Sequence, residues 1–433
     1  MHKKNGYIIK NGRVIDPAQD IDKKVDIAVL NGKIVPPSTL KSPEIIDVEG
    51  LIVAPGFIDI HVHLRQPGGT HKETIATGTR AAAAGGFTTV LPMPNTSPVI
   101  DNVGAIEYMK RHVAKDGVIK VLLCAAMTKD LAGQNMSGIG SLKQNGVIAL
   151  SDDGHCVQNH EIMRHIMEYA HSFDLPIFDH CEDNNLAGDG VMHEGYWSTV
   201  LGLRGIPSAS EELMVERDII MAETTGARIH IQHISAAGSV RKVREAQSRG
   251  LSVSAEVTPH HIALTDENLK HFDPNFKMNP PLMSEMHKNA LIEGLKDGTI
   301  AAIATDHAPH TETEKLVEID YAPFGIIGLE TALSVCLTEL YHKKHLTLSQ
   351  LISKFTSGPA SILKMDTGHL KEGGDADITI FDPDSSAVVD SSGFYSKARN
   401  TPFNGHELRG EVKATIVDGS FIFSRIPGVK GKI

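Results

Sequence analysis

The sequence has few cysteines, and none of them forms the close pair that a zinc-binding or redox motif needs. Cys124, Cys156, Cys181 and Cys336 are widely spaced along the 433 residues. This spacing excludes a CxxC motif and gives no sign of a disulfide framework. We therefore expect four small, buried thiol side chains.

Long runs of a single kind of side chain are also missing. The formal net charge is -11 and no long run of lysine and arginine occurs, which argues against a nucleic-acid partner. No apolar run approaches the roughly 18 residues that a membrane span needs. The segment MHKKNGYIIKNGRVIDP lacks the apolar core and cleavage site of a secretory signal. We expect a cytoplasmic protein with no membrane partner.

What the sequence does contain is a repeated alternation of apolar segments, polar bends and amphipathic segments. A composition of 41% hydrophobic and 22% charged residues is typical of a globular chain with one large and one smaller domain. The predicted strands are 57–64, 87–93, 119–127, 147–153, 176–181, 228–235, 251–258 and 300–306. The predicted helices are 73–84, 102–115, 161–172, 211–225, 240–248 and 286–295.

Eight strands that are apolar nearly throughout, and that alternate with helices, predict a parallel sheet covered on both faces. This number favours a closed (β/α)8 barrel of the TIM type over an open doubly wound sheet. No GxGxxG motif follows any of the strands, which further disfavours a dinucleotide-binding fold.

Both ends of the chain have a different pattern, with short strand-like runs separated by turn signals. Asn11-Gly12 and Asn31-Gly32 lie between apolar runs, where Asn-Gly is a strong hairpin signal, and Asp418-Gly419 follows another such run. The simplest arrangement pairs the two ends into one small β domain with the barrel inserted between them. The predicted division is 1–55, 56–365 and 366–433.

Histidines and carboxylates follow most of the predicted barrel strands, at the end where barrel enzymes place their active sites. His61 and His63 stand two residues apart after the first strand, so they share one face, and Arg65 continues the row. The other strand ends carry Asp152 and Asp153, His180, His233, His260 and His261, and Asp306 and His307.

So many buried polar groups are costly unless a metal satisfies them, and neutral imidazole is the commonest protein ligand for a transition metal. Four histidines and two carboxylates exceed the three or so protein ligands of one catalytic zinc ion. We therefore predict two divalent ions about 3.5 to 4 Å apart. Spacing alone leaves Asp152 and Asp153 as alternative bridging ligands.

The motifs GFIDIHVHLRQPGG, PMPNTSPV, LSDDG, HCEDN, AEVTPHH, KMNPPL, ATDHAPH and APFGIIGLET resemble those of the amidohydrolase superfamily. Within it they resemble the long-chain bacterial, or class I, dihydroorotase family over residues 50 to 335. The resemblance implies two zinc ions, one on His61 and His63 and one on His180 and His233. It makes Asp153 the bridge and Asp306 a metal-contacting catalytic carboxylate. The implied substrate-binding residues are His63, Arg65, Asn95, Asn279, His310, Phe324 and Gly325.

The reaction implied by this resemblance is the reversible cyclisation of N-carbamoyl-L-aspartate to L-dihydroorotate and water, a zinc-dependent step of de novo pyrimidine synthesis. The guanidinium of Arg65 matches a substrate carboxylate, although an ion pair with a neighbouring acid is the alternative. Many relatives bridge their metals with a carboxylated lysine after the fourth strand. This chain has Ser151-Asp152-Asp153 there, which counts against a hydantoinase, dihydropyrimidinase or allantoinase.

Four further expectations concern activity, assembly, a polar segment and the remaining histidines. The chain could be an inactive barrel kept as an assembly partner, for instance of aspartate transcarbamoylase, although it retains every ligand. A homodimer is the expected assembly from base rates. The polar segment 310–323 is either a mobile lid or a solvated loop. His260, His261 and His307 are left for hydrogen bonding or packing around the metals.

Overall fold

The computed structural model describes residues 6–433; residues 1–5, which the sequence analysis includes in the amino-terminal β unit, lie outside that range. Seven short strands come first along the chain. They are β1 (Tyr7–Lys10), β2 (Arg13–Asp16), β3 (Ile21–Lys24), β4 (Ile27–Leu30), β5 (Lys33–Val35), β6 (Glu44–Asp47) and β7 (Ile52–Pro55).

The central part of the chain adds eleven strands, and the carboxyl-terminal part adds three. The central strands are β8 (Phe57–Val62), β9 (Phe87–Pro92), β10 (Lys120–Val121), β11 (Cys124–Ala125), β12 (Ala149–Ser151), β13 (Ile177–Asp179), β14 (Met192–His193), β15 (Gly205–Ile206), β16 (Ile229–Ile231), β17 (Val253–Val257) and β18 (Ala302–Ile303). The last three are β19 (Ile378–Val388), β20 (Glu407–Val417) and β21 (Ser420–Ser424).

Nine of the central strands form a closed parallel barrel with eight positions. One sheet runs β8-β9-β10 and the other β11-β12-β13-β16-β17-β18. β10 and β11 share one position, because the chain passes there from pairing with β9 to pairing with β12. The ring closes where the backbone N–H of His63 donates to the carbonyl of His307 at 2.9 Å. The predicted (β/α)8 barrel is confirmed, with predicted strand 119–127 broken into two short pieces.

Helices connect the barrel strands and cover them. They are α1 (Ile75–Ala84), α2 (Val103–Asp116), α3 (Ile139–Gln144), α4 (His160–Ser172), α5 (Asn184–Ala187), α6 (Tyr196–Leu201), α7 (Ala209–Thr225), α8 (Ala237–Ser248), α9 (Pro259–Ala263), α10 (Glu285–Asp297), α11 (Glu312–Lys315), α12 (Ala332–Cys336), α13 (Leu348–Phe355) and α14 (Ser357–Ile362). The six helices predicted between strands are all present, with ends shifted by a few residues. Side-chain caps fix several starts; Asn102, for example, accepts from the N–H of Ala105 before α2.

The excursion between β13 and α7, which contains α5, β14, α6 and β15, has no counterpart in the sequence prediction. Its elements are two to six residues long. Elements of this length carry too few apolar repeats to show a period. It lies at the carboxyl-terminal end of the barrel and contributes Ile206 and Pro207 to the wall of the site described below.

The two ends of the chain meet in one six-stranded sheet ordered β21-β20-β19-β7-β2-β3, beside a four-stranded sheet ordered β5-β4-β1-β6. β19 runs antiparallel to β7, with Ile380 opposite Val53. Both side chains are fully buried in an apolar cluster that takes members from each end of the chain. The predicted pairing of the terminal segments is confirmed, because neither end could bury this apolar face alone.

The turn signals give mixed results. Asn31-Gly32 joins β4 to β5 as a two-residue hairpin with positive φ at both residues, 53° and 81°. Asn11-Gly12 does not make the hairpin that its sequence predicts, because β1 and β2 lie in different sheets. Gly12 is needed instead for close packing. A Cβ there would lie 2.7 Å from a methyl carbon of Val53.

Other expectations concern cysteines and membrane helices. All four cysteines are buried and unpaired, as predicted. Across residues 6–433, we find no helix with the length and apolar character to cross a bilayer.

Candidate metal centre

Six predicted ligands converge at the carboxyl-terminal end of the barrel. Each lies within or up to three residues beyond a strand: His61 in β8 and His63 after it, Asp153 after β12, His180 after β13, His233 after β16 and Asp306 after β18. All six side chains are buried. The barrel topology therefore gathers residues that are up to 245 positions apart into one small volume.

The first half of the cluster joins His61 and His63 to two carboxylates. The Nε2 atom of His61 lies 3.2 Å from Asp153 Oδ1 and 3.5 Å from Asp306 Oδ1. The Nε2 atom of His63 lies 3.5 Å from Asp153 Oδ2 and 2.9 Å from Asp306 Oδ1. The two imidazoles thus present the same kind of nitrogen to the same two carboxylates.

The second half joins His180 and His233 to the same aspartate. His180 Nδ1 and His233 Nε2 are 2.8 Å apart, and His233 Nε2 is 3.8 Å from Asp153 Oδ1. Within each trio, His61-His63-Asp153 and Asp153-His180-His233, the candidate ligand atoms lie within 4.8 Å of one another. Imidazole nitrogens and carboxylate oxygens at such separations fit a divalent transition metal.

Asp152, the alternative bridge, turns away from this cluster. Its Oδ1 accepts hydrogen bonds from the backbone N–H groups of Met127 at 2.7 Å and Thr128 at 3.0 Å, and its Oδ2 accepts from the Thr128 hydroxyl. Its carboxylate holds the loop that follows β11. Asp153 belongs to both ligand trios, whereas Asp152 belongs to neither.

The charges of the cluster suit a cation. Burial alone would lower the pKa of His61, but the carboxylates of Asp306 and Asp153 raise that pKa well above its usual value. Burial and the charge of His180 lower the pKa of His233 well below its usual value. Burial favours a protonated Asp153, but His61 outweighs it and holds the Asp153 pKa well below the usual range. The carboxylates that attract a proton to His61 would equally attract a metal cation, and binding of that cation would displace the proton, because imidazole binds metals in its neutral form.

The sequence analysis missed Glu256, the buried neighbour of His61. Glu256 lies inside β17, and its Oε1 is 2.7 Å from Nδ1 of His61. A charged residue within a segment that otherwise reads as a buried strand was the available signal, because such a group needs a partner. Asp59 in β8 shows the same pattern, and it accepts from the N–H and hydroxyl groups of Thr305.

Arg65 lies at the mouth of the barrel beside His310. Its Nε donates to the carbonyl of Pro309 at 3.2 Å. Within residues 6–433, we find no carboxylate in ion-pair range of this guanidinium. The geometry therefore disfavours the alternative in which Arg65 pairs with a neighbouring acid. Burial, followed by the charges of Arg65 and Lys72, lowers the pKa of His310 to about 3. His310 is thus a neutral imidazole, and its Nε2 donates to the carbonyl of Phe324 at 2.9 Å.

The two predicted asparagines lie on opposite sides of the cluster. The Oδ1 atom of Asn95 accepts from His63 Nδ1 at 3.0 Å, and its Nδ2 donates to Asp153 Oδ2 at 3.1 Å. Asn279 places its Nδ2 3.5 Å from His180 Nε2. In the described part of the chain its buried Oδ1 has no hydrogen-bond partner. That oxygen is available to accept from a ligand.

Phe324 and Gly325 complete the wall of the mouth. Gly325 has a φ of +149°, and a Cβ there would lie 2.7 Å from the carbonyl oxygen of Ala308. This position therefore requires glycine. Its N–H donates to the carbonyl of Lys277, whose ammonium lies 4.6 Å from the centre of the Phe324 ring.

Segment 310–323, between His310 and this wall, is anchored at its start by a buried amine. Lys315 donates to the carbonyls of Pro274 at 2.9 Å and Pro323 at 2.8 Å. Leu316 and Tyr321 are each 81% exposed. The segment thus combines buried side chains, including Lys315 and Ile319, with apolar side chains in solvent.

Three of the predicted site residues have a left-handed backbone. The φ angles are 55° at Arg65, 27° at His233 and 44° at Asp306. Such angles are uncommon for residues other than glycine and cluster at functional sites. They place each side chain where a regular strand would not.

Known families and proteins match this sequence along most of its length. Residues 50–239 match the family described as dihydro-orotase-like, and residues 215–423 match the amidohydrolase family. A dihydroorotase of Solibacter usitatus is 49% identical over 96% of this chain and 98% of its own length. A dihydroorotase of Pelotomaculum thermopropionicum is 50% identical over the same shares.

Solved structures show a similar fold. The L-hydantoinase (dihydropyrimidinase) of Arthrobacter aurescens superposes with a TM-score of 0.88 at 24% identity, covering 98% of this chain and 97% of its own. The dihydropyrimidinase of Brevibacillus agri gives 0.85 at 22% identity, covering 97% and 95%. The fold is therefore that of the amidohydrolases, and the buried histidine and aspartate cluster is a metal centre of the kind typical of them. The chain belongs to the dihydroorotase family of the amidohydrolase superfamily.

Proposed function

We propose that this enzyme interconverts N-carbamoyl-L-aspartate and L-dihydroorotate, with loss of water in the direction of ring closure. The observation that carries the proposal is the convergence of four histidines and two aspartates beside an arginine without an ion-pair partner among the described residues. Both forms of the substrate carry a carboxylate and an amide, so they need a cation next to a centre that activates water.

Two zinc ions are our proposal for the metal. His61 and His63 would hold one ion, His180 and His233 the other, and Asp153 would bridge them, with Asp306 contacting the first. When bound, zinc lowers the pKa of water toward about 7 and polarises the amide carbonyl. The donor set supports this choice because nitrogen and carboxylate ligands suit zinc.

Asp306 is the proposed acid and base. During ring closure the ureido nitrogen bonds to the side-chain carboxyl carbon, and Asp306 takes the proton from that nitrogen. Asp306 passes this proton to the oxygen that leaves the same carbon, which departs as water with one further proton from solvent. During ring opening Asp306 takes a proton from the attacking water and returns it to the departing ring nitrogen. One group serves both directions, as microscopic reversibility requires. Its contact with His63 at 2.9 Å and its left-handed backbone support a fixed orientation.

The remaining predicted residues hold the substrate at the mouth of the barrel. Arg65 would bind the substrate carboxylate through its planar fork, with neutral His310 and Asn95 as further hydrogen-bonding groups. The unpartnered Oδ1 of Asn279 would accept from a ring N–H. His63 lies against the substrate space between Asn95 and Asp306. Phe324 and Gly325 would offer backbone groups to the ring.

The assembly and the moving parts are also proposals. A homodimer is the proposed assembly, because it is the commonest symmetric oligomer. Association with aspartate transcarbamoylase is the alternative assembly, and a cytoplasmic location suits both.

We propose that segment 310–323 closes over the substrate while Lys315 stays buried as its anchor.

The direct test is an assay on the full-length protein with its metal content measured. We expect reversible turnover of L-dihydroorotate, two zinc ions per chain, and loss of turnover on chelation with recovery on adding zinc. Dihydropyrimidines and allantoin serve as the comparison substrates. Turnover of either of these without turnover of dihydroorotate would overturn the proposal, and absence of bound metal would favour an inactive assembly partner.

A matched pair of substitutions tests the bridge. Asp153→Asn should lower the bound zinc below two ions per chain, because both ligand trios lose a charged oxygen. Asp152→Asn should leave the zinc content at two and lower thermal stability, because that carboxylate holds the loop after β11. The reverse pattern would make Asp152 the bridge.

A further inference from the structure

A line of hydrogen-bonded side chains runs from the metal centre through the interior of the barrel. His61 Nδ1 is 2.7 Å from Glu256 Oε1, and Glu256 Oε2 is 3.1 Å from His230 Nε2. His230 Nδ1 is 2.8 Å from the hydroxyl of Ser254. His61, Glu256 and His230 are completely buried.

The order of donors and acceptors along this line follows from the carboxylate at its centre. An ionised carboxylate only accepts, so His61 Nδ1 and His230 Nε2 must both carry hydrogen. In the neutral imidazole that binds a metal, Nε2 of His61 therefore carries the lone pair, and this is the atom that faces Asp153 and Asp306. His230 Nδ1 is left to accept from the hydroxyl of Ser254.

His230 matters because a fully buried carboxylate needs more than one donor. Beyond the two imidazoles, the N–H of His233 reaches Glu256 Oε1 at 3.4 Å. Without His230 the carboxylate would lose one of its two short hydrogen bonds, and it would be freer to turn away from His61. His230 lies in β16, three residues before the ligand His233, and its ring nitrogens hydrogen-bond to Glu256 and Ser254 rather than to either ligand trio.

We propose that Glu256 and His230 are positioning residues of the metal centre: Glu256 sets the tautomer and ring orientation of His61, and His230 holds Glu256 in place. The inference rests on the proposed metal centre and adds two residues to it. A hydrogen bond to the far nitrogen of a metal-binding imidazole raises the basicity of the ligand and fixes its direction. Ser254, the fourth residue of the line, should affect metal binding least, because it contacts only His230.

A cavity lies beside the end of this line that is farthest from the metal centre, and it allows the proposal to be tested. His230 and Ser254 lie against a cavity of about 490 Å³ at the amino-terminal end of the barrel, opposite the metal centre. Gln247, Arg228 and Ser361 also border this cavity. If the His230 ring is removed, the space it leaves adjoins the cavity, so a small molecule can enter without passing the metal centre.

The first measurement is zinc affinity, by titrating the full-length, zinc-loaded protein with a chromogenic chelator. Loss of one such outer partner typically weakens metal binding about 10- to 100-fold. We expect a loss of this size for Glu256→Gln, which keeps the shape and removes the charge, and a loss of about tenfold for His230→Ala. His287→Ala is the matched control, because His287 is a buried histidine outside the line.

The second measurement is chemical rescue of the truncated variant. Imidazole added to His230→Ala should restore most of the lost zinc affinity, because it can donate to Glu256 from the vacated place. N-methylimidazole ligates zinc through the same kind of nitrogen but has no N–H for Glu256, so it should not restore it. A merely structural role of His230 would not distinguish these two molecules.

The outcomes separate this inference from the proposed function. If wild-type protein binds no zinc, the proposed metal centre itself fails. If wild type binds zinc and Glu256→Gln binds it equally well, the positioning role is overturned while the metal centre stands. If His230→Ala does not fold, Glu256→Gln still decides the role of the carboxylate, and Ser254→Ala, expected to weaken binding less than threefold, tests the far end.

Discussion

The mouth of the barrel and the terminal β domain both contain residues with left-handed backbone, but of opposite kinds. In the β domain they include Asn31, Gly32, Asp418 and Gly419, which form two-residue hairpin turns. These residue types adopt such angles at low cost. At the mouth they are Arg65, His233 and Asp306, of which the arginine bears the clearest cost, about 1 kcal/mol or more. One region uses the conformation to turn the chain, and the other uses it to aim a reactive side chain.

The interiors of the two regions differ in the same way. The β domain is held by apolar side chains from both chain ends, such as Val53 and Ile380. The barrel mouth buries histidines and carboxylates, which oppose folding unless they are paired or bind a metal. Substitutions in the first region should therefore act on stability, and substitutions in the second on chemistry. Four predictions test this division, from the largest expected effect to the smallest.

Asp306→Ala should show the largest effect, confined to chemistry. Loss of the proposed acid and base should lower kcat for dihydroorotate by at least about 10³-fold. The folded state should keep most of its thermal stability, because the loss of a buried carboxylate offsets the cost of alanine at a left-handed position. Steady-state kinetics and thermal unfolding measure the two effects. A near-normal kcat would show that Asp306 is not the acid and base. If Asp306→Ala were unfolded at room temperature, the expectation that substitutions at the barrel mouth act on chemistry rather than stability would be wrong.

Ile380→Ala should show the reverse behaviour. Ile380 is fully buried opposite Val53, and truncation of such a side chain costs about 2 to 5 kcal/mol. Denaturant unfolding should measure that loss, while kcat and KM of the remaining folded enzyme stay within a factor of two. Ile45→Ala, at a half-exposed isoleucine of the same domain, should cost less than about 1 kcal/mol. A large change in kcat for Ile380→Ala would show that the two regions are coupled.

Much of this division was readable in the sequence. The apolar strands and the polar residues that end them predict the barrel and its metal cluster, because barrel topology gathers those ends in one place. Glu256 was not predicted, since its role depends on which side chain lies opposite it across the barrel. The orientation of the Asp152 side chain could not be predicted either, since it is set by the two backbone N–H groups that follow β11. The hairpin predicted at Asn11-Gly12 was wrong, because the residues of a turn do not determine which sheet the next strand joins.

Arg65→Lys should affect binding more than turnover. A lysine keeps the charge but replaces a planar fork by a point charge, so one or two charge-assisted hydrogen bonds to the substrate carboxylate are lost. Bonds of this kind are worth roughly 1.5 to 3 kcal/mol, which corresponds to a rise in KM of about 10- to 100-fold. We expect kcat to fall less than fivefold. Arg80→Lys, at an exposed arginine of α1, is the control and should change neither constant. An unchanged KM would return Arg65 to a structural role.

Substitution of Asp375 should have the smallest effect on the free energy of unfolding. It tests a contact between the barrel and the β domain. It pairs with Lys33 of the β domain at 2.7 Å and with Lys120 of the barrel at 2.9 Å. Hydrogen bonds from Lys33 and Lys120 lower the pKa of Asp375 to about 2. Because the folded pKa lies below the usual value of 3.8, the stabilisation is complete above about pH 4 and is lost as the pH falls through 2.

Asp375→Asn should therefore lower the free energy of unfolding at pH 7 by less than about 1 kcal/mol, since the pair is largely exposed and screened. Below pH 2 the variant and the wild type should become equally stable. Asp189→Asn, at another surface aspartate, should follow the wild type throughout. A difference between Asp375→Asn and wild type that grows as the pH falls would contradict this assignment. It would mean that the ion pairs with Lys33 and Lys120 are not what lowers the pKa of Asp375.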